Sequence, residues 1–113
     1  AIAALRWKPA GFRIEVDGAA YEGPPGHVHG GVCALVLDQV LGEAAAADNK
    51  ASYTGTIEFR YLRPTPLGQL VARAEIVERA GRKKTVRGTL SDARGITVEA
   101  EGLFIVPKDV PEL

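Results

Sequence analysis

Methionine is absent from all 113 residues, position 1 included, and cysteine occurs once, as Cys33. A missing initiator implies a chain trimmed at its start, from which a targeting segment could have been lost. A single thiol excludes an internal disulfide framework and fits a reducing compartment, so the expected location is the cytoplasm. Net charge is missing too. Fourteen basic residues balance fourteen acidic ones, which leaves a nucleic acid or an acidic membrane nothing global to bind. No charge-free apolar run is long enough to cross a bilayer, and no signal-peptide pattern opens the chain. With two histidines and no cysteine pair, a catalytic zinc would have to draw on scattered carboxylates. No metal and no other cofactor is expected.

What is present reads as one domain over residues 1–113, without repeats or low-complexity linkers. Phe12, Ile14 and Val16 alternate with charged neighbours, the pattern of a half-buried strand ending at Asp17-Gly18. Gly23-Pro24-Pro25-Gly26 must be a tight loop. From about Gly30 to Ala47 comes the one convincing helix, with small residues such as Gly42 and Ala44 to Ala47. Its apolar positions fall all round, which predicts burial on nearly every side, and Asp48-Asn49 stops it. Four alternating segments follow, around Ile57–Tyr61, Leu70–Ile76, Val86–Leu90 and Ile96–Phe104, separated by Pro64-Thr65-Pro66, Ala80-Gly81 and Asp92–Gly95. The expected class is α+β, an antiparallel sheet wrapped around one long central helix.

Two glycines, Gly30 and Gly31, open that helix, and a carboxylate, Asp38, interrupts its apolar run. A helix start presents unpaired N–H groups in a positive potential, and glycine leaves them open to a ligand. An oxyanion hole has that requirement, with donors about 3 Å from an oxygen that gains charge. The same glycines could serve only close packing. Asp38 is equally a structural acid on an exposed edge or a general base or nucleophile. Eight residues separate Gly30 from Asp38, roughly 12 Å of helix. One carbonyl cannot touch both on one chain, so cooperation between them demands a dimer. Cys33 lies four residues after His29, yet no orienting acid is near, and a small buried hydrophobe is its simpler role.

His29-Gly30-Gly31 followed by Leu35-Val36-Leu37-Asp38, then Thr54 and Tyr61-Leu62-Arg63-Pro64, resembles the hotdog-fold acyl-CoA thioesterases of the PaaI type, over Tyr21 to Val106. That resemblance implies a hotdog fold, a homodimer or dimer of dimers, and two sites at each dimer interface. It puts His29 and Gly30 at the thioester carbonyl, Asp38 of the other chain on the attacking side, and Thr54 beside the water. Some relatives carry Asn six residues before the motif histidine, where this chain has Gly23. Thr54 also has the wrong strand parity relative to Ile57, Phe59 and Tyr61, which a bulge near Gly55 would reconcile. Coenzyme A carries phosphates, so Arg82, Lys83, Lys84 and, more weakly, Arg63 are candidate contacts. The reaction implied is hydrolysis of an acyl-CoA, the alternative a non-catalytic acyl-CoA or lipid-binding hotdog module. A hotdog hydratase would need an Asp–His base that this histidine placement does not supply.

Overall fold

The computed structural model of the protein describes residues 2–8, 11–16 and 22–108. Strands β1 (Ile2–Lys8) and β2 (Gly11–Val16) precede helix α1 (Gly30–Ala45) and a short 3-10 turn, Ala46–Asp48. Four strands then follow: β3 (Tyr53–Tyr61), β4 (Gly68–Ala80), β5 (Lys83–Asp92) and β6 (Gly95–Ile105). They form one antiparallel sheet in the order β1-β2-β4-β5-β6-β3. The helix lies on one face of this sheet, which is the hotdog fold that the order of elements predicts. Strand β1 has no clear signal in the sequence, because Ile2-Ala3-Ala4-Leu5 lacks the alternation that marks its neighbours. The expected stop at Asp17-Gly18 lies outside the described residues.

Packing follows strand parity. Leu70 and Ala72 of β4, Val86 and Leu90 of β5, and Val98, Ala100 and Phe104 of β6 point at the helix and are buried. From α1 they meet Cys33, Val36, Leu37, Val40, Leu41, Ala44 and Ala45. Leu37, Val40 and Leu41 are completely buried, each contributing about 1.5–3 kcal/mol by area removed from water. The helix comes close to β5 at Gly88. A Cβ at Gly88 would lie 2.9 Å from both the Arg73 carbonyl oxygen and Cδ2 of Leu41, so no side chain fits there.

The expectation of burial on nearly every side of the helix is corrected for the single chain. Gly31, Leu35, Asp38, Gln39 and Glu43 form an exposed stripe at helical spacing. Leu35 is 61% exposed. Gly30–Asp48 has the length and the mean hydropathy, 1.3, of a bilayer span, but it carries Asp38 and Glu43 and buries its opposite side in the sheet. Its apolarity is that of a core helix.

The helix ends where expected. Asn49 adopts a left-handed φ of 63°, a conformation Asn tolerates. A cation closes the same end. Lys84 shares its strand face with Val86, Gly88 and Leu90, and is only 3% exposed. Its Nζ donates to the Ala45 carbonyl at 2.8 Å, to Asp48 Oδ1 at 2.7 Å and to the Lys50 carbonyl at 3.0 Å. Partial burial would raise the Asp48 pKa, but the Lys84 hydrogen bond and charge outweigh it and hold the carboxyl below its usual range.

Candidate functional site

The loop before α1 is tied down at several points. Gly23 N–H donates to the His27 carbonyl, His27 N–H to Pro24, Val28 N–H to Thr65 at 2.8 Å, and Leu67 N–H to Gly26. Val28 is buried in the same core as Cys33, the pairing of a hydrophobic staple. The staple brings His29 to the N-cap. Instead of the usual hydroxyl or carboxylate, the ring nitrogen Nδ1 of His29 accepts the Gly31 N–H at 2.9 Å. That bond leaves the neutral ring with its proton on Nε2.

This cap separates the two glycines. The Gly31 N–H is already taken, so the expectation that Gly31 binds substrate through it is corrected. Among the described residues no acceptor takes the Gly30 N–H. Of the pair, Gly30 is the open donor. Gly23, where some relatives of the resembling family carry Asn, packs close: its Cβ would stand 3.1 Å from the His29 Cα. A side chain there would crowd the backbone of the capping residue, which would have to give by a few tenths of an ångström.

At the far end of the exposed stripe, Asp38 and Thr54 line one groove of about 320 Å³ with Gln39, Glu43, Tyr53 and Phe104. Thr54 reaches it through the bulge that strand parity required. The β3–β6 register shifts between Thr54 and Thr56, so Thr54 pairs with the inward Phe104 while Ile57 pairs with Gly102. A Cβ at Gly55 would lie 2.8 Å from Cδ1 of Ile105 and 3.3 Å from the Leu103 carbonyl, so a larger residue at the bulge would have to displace the tip of the Ile105 side chain. Gly30 and Asp38 sit on one unbroken helix, eight residues and roughly 12 Å apart.

The cationic candidates divide. Lys84 is corrected outright, because its ammonium is spent inside the protein on the helix end. Arg63 is engaged within the protein, although its side chain stays partly exposed. Its Nη1 donates to Asp92 Oδ2 at 3.0 Å, and its Nη2 donates to Asp92 Oδ1 and to the Gly95 carbonyl. This fork fastens the β5–β6 hairpin to the segment after β3, and it holds the Asp92 carboxyl well below the usual carboxylate range. Arg82 and Lys83, at the β4–β5 turn, remain exposed. Cys33 is buried, and burial pushes its thiol pKa up. That is the wrong direction for a nucleophile. Among the described residues, no three His, Cys, Asp or Glu side chains group as metal ligands.

One contact had no signal in the sequence. The Tyr61 hydroxyl donates to the Gly30 carbonyl at 2.8 Å, which joins the edge strand to the helix start.

Comparison with known proteins agrees with the fold. The sequence profile of the thioesterase superfamily matches residues 25–99. Acyl-coenzyme A thioesterase THEM4 of Mus musculus is 33% identical over 91 residues, covering 78% of this chain and 39% of that protein. A solved thioesterase superfamily protein is 45% identical with a TM-score of 0.77, over 84% of this chain and 48% of its own. The chain therefore spans less than half the length of both. A Bacillus halodurans protein solved with CoA is 26% identical, TM-score 0.74, over 85% of this chain and 70% of its own. The E. coli PaaI protein shares the fold at a TM-score of 0.78, with 14% identity, over 88% of this chain and 75% of its own.

Proposed function

The chain belongs to the thioesterase superfamily, and from that premise we propose that it hydrolyses acyl-CoA thioesters to a free acid and coenzyme A, as a PaaI-type enzyme whose sites span a cytoplasmic homodimer. The observation that carries this is the split of one exposed helix stripe. An open N–H donor sits at its start, and a carboxylate beside a hydroxyl sits roughly 12 Å along. Two such helices packed antiparallel about a two-fold axis would bring Gly30 of one subunit to the partner subunit's Asp38. The axis would pass near the midpoint of the two, beside Leu35, the most exposed apolar residue of the stripe. Edge strand β3 has no buried residue along its length, and Tyr53 and Tyr61 on it are exposed, as a face awaiting a second copy would be.

In such a site the thioester oxygen accepts the Gly30 N–H, with the His29 Nε2–H beside it. Both donors stand at a helix N-terminus, where the developing negative charge is favoured. The partner subunit's Asp38 then has two routes. It attacks the carbonyl carbon, expelling the coenzyme A thiolate and leaving an anhydride for water to open. Alternatively it takes a proton from a water that attacks, with the partner subunit's Thr54 holding that water. The CoA-bound Bacillus halodurans relative supports coenzyme A as the carrier group. Release of free thiol from a panel of short, long and aromatic acyl-CoAs tests the reading. Tight acyl-CoA binding without release would point instead to a binding module.

The two-chain site has a sharper test. Gly30→Pro removes the N–H at a helix position that accepts proline, and His29, at φ −57° and ψ 136°, already has the extended backbone a following proline requires. Gly30→Pro and Asp38→Asn should each be nearly inactive. Unfolded and refolded together in equal amounts, they should recover roughly one quarter of wild-type activity, since half of the dimers are mixed and each has one intact site of two. A mixture no more active than its components would sink the shared site.

The exposed Arg82 and Lys83 are the remaining candidates for coenzyme A phosphates. Changing both to Ser should raise KM several-fold with kcat within about twofold, the pattern of lost uniform binding. A KM equal to wild type would return the pair to a solvated turn.

A further inference from the structure

The peptide group joining Gly30 to Gly31 is held by a side chain at each end. Its carbonyl accepts the Tyr61 hydroxyl at 2.8 Å, and its N–H donates to His29 Nδ1 at 2.9 Å. One planar unit thus links a phenol on edge strand β3 to the imidazole that caps α1. Hydrogen bonds in series polarise one another, so a donor on the carbonyl strengthens the N–H of the same amide. The carbonyl can accept the phenol and still open the helix ladder, because a backbone oxygen has two lone pairs. The ring itself lies alongside: a Cβ on Gly30 would meet Cε1 of Tyr61 at 3.6 Å, an ordinary contact. Although much of the Tyr61 ring is exposed, partial desolvation pushes its phenol pKa above the usual value, with the nearby Cys33 adding to it, so the hydroxyl is a donor throughout the neutral range.

Resting on the acyl-CoA reading above, we propose that Tyr61 is a positioning residue for His29. Acting through the Gly30–Gly31 peptide, it holds Nδ1 as an acceptor and keeps the ring proton on Nε2, where a thioester oxygen can use it. Tyr61 touches no reacting atom in this scheme. It sets the tautomer and orientation of the group that does.

Tyr61→Phe keeps the ring against Gly30 and deletes only the hydroxyl. With one hydrogen bond lost, kcat should fall roughly three- to tenfold while KM is unchanged. Nitrogen NMR of the imidazoles should show His29 gaining protonation at Nδ1. His27 supplies an internal reference of the opposite tautomer, since its Nδ1 donates to the Pro25 carbonyl at 3.0 Å. An unchanged kcat overturns the proposal, and so does a lowered kcat with the His29 ring still wholly in its Nε2–H form. Should Tyr61→Phe fail to fold, 3-fluorotyrosine at the same position retains the shape and sharpens the donor. The Gly31 amide proton should then move downfield, and an unmoved one overturns the proposal equally. The spectroscopic readout needs no turnover. Wild-type protein inert on every acyl-CoA would defeat the hydrolase reading, while the His29 tautomer would still decide the role of Tyr61.

Discussion

Asp38→Asn should lower kcat on a good acyl-CoA by ~10²–10⁴, the usual cost of losing a general base, with the melting temperature nearly unmoved. The side chain lies on the exposed helix stripe, and among the described residues it makes no hydrogen bond or ion pair. Asn has the same volume and a similar helix propensity, so the fold has little reason to notice the change. It cannot accept a proton from water or form an anhydride as a carboxylate does. A structural acid on a solvated edge would leave both measurements unchanged. An acid buried in an essential ion pair would shift the melting curve by several kcal/mol. Turnover and a thermal melt on the same preparation separate the three, and wild-type kcat in Asp38→Asn would end the hydrolytic assignment.

The second large effect is on stability. Lys84→Met keeps the stem that packs beneath the helix end but removes its ammonium, leaving the Ala45 and Lys50 carbonyls and the Asp48 carboxylate short of their shared donor. Stranding partly buried acceptors in this way should cost on the order of 3 kcal/mol, a fall in Tm of about 10 °C for a domain of this size. Lys83→Met, next door but exposed, should change stability by less than about 0.5 kcal/mol. Acidity offers a further check. The folded pKa of Asp48 is depressed, so its contribution is present above the ordinary value of 3.8 and is lost as pH falls through the folded value. Lys84→Met should flatten that part of the acid unfolding profile. Equal melting curves for the two lysine variants would show that the helix end does not need the cation.

Much of this was legible beforehand because periodicity is a local property. The inward set Val86, Gly88 and Leu90 could be read from alternation alone, whereas the apolar spacing of α1 pointed to burial all round and did not single out the side that faces the sheet. The bulge at Gly55 also followed from parity, since Thr54 and Ile57 could share a face only if one residue were inserted between them. That same alternation put Lys84 on the inner face, two residues before Val86. The run Arg82-Lys83-Lys84 hid this, because three adjacent charges read as a solvated turn. Only the approach of the helix end, which supplies two carbonyls and a carboxylate, makes an inward ammonium tolerable.

By itself the sequence determined the element types from β2 onward, the sheet face that carries the core, the glycines at the helix start, and the separation of Gly30 from Asp38 along that helix. Each depends on residues close together in the chain, where 1.5 Å per helical residue and a two-residue strand period leave little choice. Tertiary structure alone decided which glycine N–H the His29 cap takes, which cations face solvent, and that Tyr61 grips the Gly30 carbonyl. It also left bare the stripe of α1 that carries Leu35, Asp38, Gln39 and Glu43. These outcomes depend on which partner reaches a polar group first, and on how far one sheet can cover a cylinder, and both are settled only when distant segments meet.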